Sequence, residues 1–246
     1  MLSFLKNHPF AVEAFFESSL VLTYAVPKEE LASRIPPCLS LDTFEDKWAF
    51  IAVAIVKTKG LRPKGFPAFM GNDFILTGYR IFVRYTTSDG KRLRGLYILK
   101  SETDKKKMEW LGNIFTQYKY TTTDIALKVD GPMIKVHSVQ SALSVEVHKG
   151  NKATTLPSQS PFKDWKEARR FAGPLPFTFT YNETKKQVLL IQGVREEWTP
   201  KPVEVIQHRV GFVESQGFKN IVLANAFLIE HVPYYWKKGK LDLWKP

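Results

Sequence analysis

Apolar and polar positions alternate, or run together as β-branched and aromatic residues, in ten stretches: 12–26, 48–57, 74–87, 93–102, 118–129, 133–148, 177–181, 187–194, 203–214 and 221–232. A period of two, bounded by turn-forming residues, marks strands rather than helices. Few of these stretches are far enough apart for a parallel crossover. The pattern therefore predicts a mainly β fold, a meandering antiparallel sheet or barrel, formed as one domain over 1–246. Three short helices are expected to cover or plug it. The first, within 27–37, opens at Pro27 and stops at Pro36-Pro37. The second follows Thr103-Asp104 as N-cap, with Met108, Leu111 and Phe115 on one side. The third starts near Ser160 and ends at Gly173.

The clearest local signal is Asp89-Gly90 between two strand-like stretches, which suits a two-residue type I′ hairpin turn. Such a loop pairs Ser88 with Lys91. It then sets Tyr85 against Arg94, Val83 against Leu96, Ile81 against Ile98 and Tyr79 against Lys100. Tyr79, Ile81, Val83, Tyr85, Leu96 and Ile98 would share the inner face, with Lys100 pointing inward at its end. A three-residue loop would shift one strand and undo this assignment.

That register makes Lys100 the leading catalytic candidate. An amine among Ile98, Ile81 and Tyr79 loses hydration, which lowers its pKa and makes it nucleophilic toward carbonyls. Glu102 shares its face as proton carrier or counter-ion. The alternative is that the Lys100 amine reaches water at the strand end. Arg80 and Arg84, on the opposite face with Phe82 and Tyr97, are read either as a clamp for a carboxylate or as surface cover, and Arg80, Tyr79 and Arg94 form the ligand-binding set. The five histidines have no paired spacing that places two nitrogens on one metal, so no metal is expected. His208 and His231 are expected to meet as a structural pair. The chain has no GxSxG elbow, P-loop or GxGxxG, so no nucleotide cofactor is expected. In the last two stretches Gln207, Arg209, Asn225, Glu230 and His231 are polar exceptions among residues apolar on both faces, a pattern of strands covered by helices or a partner subunit.

Charge changes the picture only in one respect. A net +12 attracts anions of any size, and Lys105–Lys107 and Lys237-Lys238 are its densest clusters. No base-stacking or groove-reading motif accompanies them, so nucleic acid is not the expected partner. Glu13 and Glu17 interrupt the N-terminal apolar residues, and there is no uninterrupted apolar run long enough for a membrane span. Cys38 is the single cysteine, which rules out an internal disulfide. A cytoplasmic location without membrane contact is expected, and a homodimer would account for the two-sided apolar strands.

The stretch YAVPKEELASRIPPCLSLDTFEDKWAFIAVAIV, followed by KGLRPKGFP, resembles the opening of the YqjF-like family of uncharacterised conserved bacterial proteins. GYRIFVRY, RGLYILKSETD and LANAFLIEHVPYYW extend the resemblance over most of the chain. It implies membership of the acetoacetate-decarboxylase-like superfamily, with an antiparallel β-barrel and a central cavity. The enzyme that names the superfamily uses a Schiff-base lysine of lowered pKa. Its Gly-aromatic-Pro-Lys-Lys motif faces Tyr97-Ile98-Leu99-Lys100-Ser101 here, so only Lys100 matches. The expected function is binding of a small anionic or carbonyl compound, with lyase chemistry through Lys100 and Glu102. Its rival is a non-enzymatic carrier or interaction protein with a basic surface.

Overall fold

The computed structural model describes residues 5–150, 156–196 and 198–245. In chain order the elements are β1 (Val12–Pro27), α1 (Lys28–Ala32), β2 (Ser40–Leu41), β3 (Trp48–Pro63), β4 (Asn72–Thr86), β5 (Arg92–Thr103), α2 (Lys106–Phe115), β6 (Tyr120–Thr122), β7 (Ala126–Asp130), β8 (Met133–Ser138), β9 (Leu143–His148), α3 (Trp165–Ala172), β10 (Phe177–Asn182), β11 (Gln187–Val194), β12 (Lys201–Pro202), β13 (Glu204–Val210), α4 (Gly211–Glu214), β14 (Val222–Trp236) and β15 (Lys240–Leu243). The three expected helices are present, and α4 was read as strand. Asp164 caps α3, accepting from the Glu167 amide at 2.7 Å. For α2 the N-cap is Lys105 without a side-chain bond. Asp104 instead accepts from the Ile75 amide at 2.7 Å and ties the helix entry to β4.

The main sheet has eleven strands in the order β12-β14-β1-β3-β4-β5-β10-β11-β15 along its path. It is mixed, because β5 pairs in parallel with both β10 and β6, which corrects the strictly antiparallel expectation. The chain between β5 and β10 contains a second sheet, β13-β9-β8-β7, apart from its edge strand β13, and is long enough for these crossovers. β11 also meets β14, with Gly193 opposite Trp236 and Val194 opposite Tyr235, so the strand path returns on itself.

The hairpin register differs from the expected one by one residue. Thr87 N–H donates to the Lys91 carbonyl at 2.9 Å, and Gly90 at φ +83° closes a three-residue loop. Phe82 therefore faces Leu96, and Arg80 faces Ile98. A bulge at Leu99 then restores the Tyr79–Lys100 pairing. Leu96 and Ile98 thus leave the face of Tyr79, Ile81, Val83 and Tyr85. Those four residues are buried in one cluster with Ile134, Val136, Val145 and Val147 of the second sheet. Each such large apolar side chain contributes on the order of 2 kcal/mol by leaving water. β14 is covered on both faces, as its apolar pattern implies, whereas β13 is largely exposed as the edge of the smaller sheet.

Register also sets Arg84 directly opposite Arg94, a like-charge pair that would be destabilising alone. Asp42, fully buried at 0% exposure, accepts from both Nε atoms at 2.6 Å. This clamp holds β2 against the β4–β5 hairpin. The left-handed backbone at Gly90 costs an L-residue about 1–2 kcal/mol. Gly90→Ala should lower stability by that amount in urea denaturation while leaving the secondary structure unchanged.

Candidate functional site

Inside the returning strand path lies a cavity of about 340 Å³. Its wall is made by the face of the main sheet that turns away from the second sheet. Along β3 that face carries Ala52 and Ala54, while the opposite face carries Ile51, Val53 and Ile55. Small side chains on one side of a strand otherwise built of large ones leave the space. Met108, Leu111, Gly112 and Phe115 of α2 line one part of it, and the segment from Ala172 to Pro176 after α3 lines another. The helices thus cover the sheet as expected.

Arg80 projects into this space. It stands opposite Ala52 on β3 and Ile98 on β5, and its guanidinium folds back over Gly78. A Cβ at position 78 would sit 2.8 Å from Arg80 Nε, so this pose requires glycine there. Arg80 is partly buried, and it lines the cavity. Its Nε has no hydrogen-bond acceptor among the described residues. No aspartate or glutamate lines the cavity among those residues. The third arginine of the wall, Arg62, is paired with Glu13 at 2.7 Å. Burial pushes the Arg80 guanidinium below its ordinary pKa, with Tyr234, Tyr120 and Tyr118 acting in the other direction. An arginine nevertheless stays charged at neutral pH. The outcome is a partly buried cation with no acid beside it at the cavity wall among the described residues, which is costly to the extent that it is desolvated unless something negative pairs with it.

Tyrosine hydroxyls surround that charge. Tyr118 Oη lies 2.8 Å from Thr178 Oγ1. Burial raises the pKa of Tyr118, of Tyr234, and of Tyr120, the last to about 12, while Arg80 acts to lower each of them. All three are therefore neutral donors at physiological pH. The Tyr234 hydroxyl rests on Gly193, where a Cβ would come within 1.7 Å of it. Arg195 donates to the Pro174 carbonyl at 2.7 Å and stacks on Trp198, 4.1 Å from the ring centroid. The Trp198 indole N–H is buried without an acceptor among the described residues. The cavity thus offers donors and cationic groups in excess over acceptors.

The sequence-predicted residues divide between two sides of the sheet. Arg80 lines the cavity; Lys100, Glu102, Tyr79 and Arg94 do not. Lys100 Nζ donates to Glu102 Oε1 at 2.6 Å, and Tyr79 Oη donates to Glu102 Oε2 at 2.6 Å. Phe212 of α4 covers them, 4.3 Å from the Tyr79 ring centroid. Lys100 and Glu102 thus come together as expected but away from the cavity, with Glu102 buried and the Lys100 side chain 33% exposed. Arg94 donates to Asp42 and to the Phe171 carbonyl, beyond the cavity wall. His208 bonds Tyr24 Oη at 2.9 Å, while His231 lies against Phe15, so the two histidines do not meet. Cys38 is buried, which pushes its thiol up to about 11. Among the described residues no group of His, Cys, Asp or Glu could hold a metal ion, and no helix is long and apolar enough to cross a membrane.

Tyr118, Tyr120, Tyr234, Arg195 and Trp198 had no signal in local sequence, because elements distant along the chain bring them together. The alternation of alanine with isoleucine and valine in AFIAVAIV was the available sign of a hollow face.

The model of the DUF2071 family, an uncharacterized conserved protein, matches residues 14–241, and the chain belongs to this family. Among curated proteins none matches it. Several solved structures share its fold. Acetoacetate decarboxylase from Legionella pneumophila superposes with a TM-score of 0.58 at 11% identity, covering 95% of this chain and 87% of that one. An acetoacetate decarboxylase-like enzyme from Sphingomonas wittichii RW1 gives a TM-score of 0.59 at 10% identity, covering 98% and 94%. The enduracididine biosynthesis enzyme MppR, complexed with pyruvate, gives 0.55 at 9% identity, covering 95% and 90%. The fold is therefore acetoacetate-decarboxylase-like.

If the Arg80 charge is uncompensated in the empty protein, removing it should stabilise the fold. Arg80→Met is expected to raise the free energy of unfolding of ligand-free protein by about 1 kcal/mol or more in denaturant titration. A loss of stability would show that the guanidinium already has a counter-charge.

Proposed function

We propose that this DUF2071 member is a closed barrel that binds a small organic anion, most simply a carboxylate, in its central cavity, with Arg80 as the anchor. The observation that carries this reading is the partly buried Arg80 guanidinium, which has no acid beside it among the described residues. A carboxylate would supply two acceptor oxygens to the guanidinium fork and further acceptors for the hydroxyls of Tyr118, Tyr120 and Tyr234. Those same donors would polarise a carbonyl next to the carboxylate. The likeness to acetoacetate decarboxylases, and to an enzyme complexed with pyruvate, supports a ligand of this kind.

The chemistry that follows binding differs from the imine route. No lysine lines the cavity among the described residues. Lys100 is engaged by Glu102 at the far side of the sheet. Imine formation at the cavity wall would therefore need an amine other than Lys100, whereas a binding role needs none.

Isothermal titration with pyruvate, acetoacetate and butyrate tests the reading. At least one should bind saturably to the wild type, and Arg80→Met should weaken that binding by roughly tenfold to several hundredfold, the value of a charge-assisted hydrogen bond of 1.5–3 kcal/mol. Borohydride treatment in the presence of pyruvate should leave Lys100 unmodified by peptide mapping. Anion binding that is indifferent to Arg80→Met, or an adduct on Lys100, would overturn this reading.

A further inference from the structure

We infer that the preferred ligand is a hydrophobic carboxylate, a medium-chain or aryl-substituted acid, rather than an ion as small as pyruvate. This inference rests on the carboxylate reading of the same cavity and concerns what lies beyond the charged group. Besides its polar groups the wall is largely apolar: Phe16, Phe74, Leu76, Phe82, Phe227 and Trp236 contribute to it. A cavity of about 340 Å³ has room for on the order of ten water-sized groups, taking about 30 Å³ for each. A three-carbon acid would satisfy Arg80 and leave much of that wall facing poorly bonded water. An acid with a tail of five to eight carbons would satisfy the charge and displace that water.

Exposed apolar residues lie close to this wall in the chain. Leu61, Pro63 and Asn72, at the two ends of the β3–β4 connection, line the cavity. The connection between them exposes Phe66, Phe69 and Met70, with Phe69 at 87% exposure. Exposed apolar residues concentrated beside a cavity mark a site of apolar contact more often than an idle surface. The small residues of the wall, Ala52 and Ala54, set where the tail can lie.

The test is a calorimetric series of straight-chain acids from acetate to decanoate, with 3-phenylpropionate and the matching primary alcohols, on wild type, Arg80→Met and Ala54→Leu. Affinity should rise about threefold to fourfold for each added methylene until the cavity is full, then level off or fall. In Arg80→Met each acid should bind no better than the alcohol of equal length. Ala54→Leu should move the optimum to a shorter acid. If acetate and pyruvate bind as tightly as octanoate, and Arg80→Met weakens all of them, the carboxylate reading stands and the hydrophobic preference is wrong. If no acid of any length binds, the carboxylate reading itself fails. If octanoate binds with an affinity unchanged in both variants, it occupies another surface and the inference is overturned.

Discussion

The arrangement of this site depends on a positive charge, that of Arg80, set at a cavity wall with no acid beside it among the described residues. Arg80 stands on β4 in the main sheet, its guanidinium folded over Gly78 and its position opposite Ala52 on the neighbouring strand. Folding has to offset the loss of its hydration, and among the described residues no carboxylate is placed to help. Other ionic groups of the fold are treated differently. Arg84 and Arg94 share the buried Asp42, and Lys100 is neutralised by Glu102. Those charges are paired, whereas the Arg80 Nε has no acceptor among the described residues.

The two faces of the main sheet explain that division of labour. One face carries large residues and is sealed by the second sheet, and its polar groups are consumed in the Lys100–Glu102–Tyr79 cluster and the Tyr24–His208 contact. The other face carries small residues on β3 and encloses space. Strand twist and the pairing of β11 with β14 bring that second face round upon itself. A cavity of this kind needs a rigid surround, which the long β1–β3 and β1–β14 ladders supply.

Much of this was legible in the sequence, and the losses have definite causes. Strand-forming stretches, the three covering helices, the family and its acetoacetate-decarboxylase-like fold were readable from period, proline position and motif. The hairpin at Asp89-Gly90 was found, yet its loop holds three residues rather than two. That single residue exchanged the faces of Leu96 and Ile98. The bulge at Leu99 then returned Lys100 to the side of Tyr79, where its side chain stays one-third exposed and pairs with Glu102 rather than lining the cavity. Arg80 was named for its charge and strand position. Its tyrosine neighbours, supplied by β6, by the segment before it and by β14, depend on pairings between distant parts of the chain that no local pattern encodes. The parallel pairing of β5 with β10 was hidden for the same reason.

The most direct measurement is nitrogen-15 NMR of the Arg80 side-chain Nε–H during titration with octanoate, assigned by comparison with Arg80→Met. A bound carboxylate should shift that resonance saturably as the unpaired donor acquires an acceptor, in step with calorimetric binding. A resonance that stays fixed while octanoate binds, or one that already carries the signature of a strong hydrogen bond in ligand-free protein, would contradict the account.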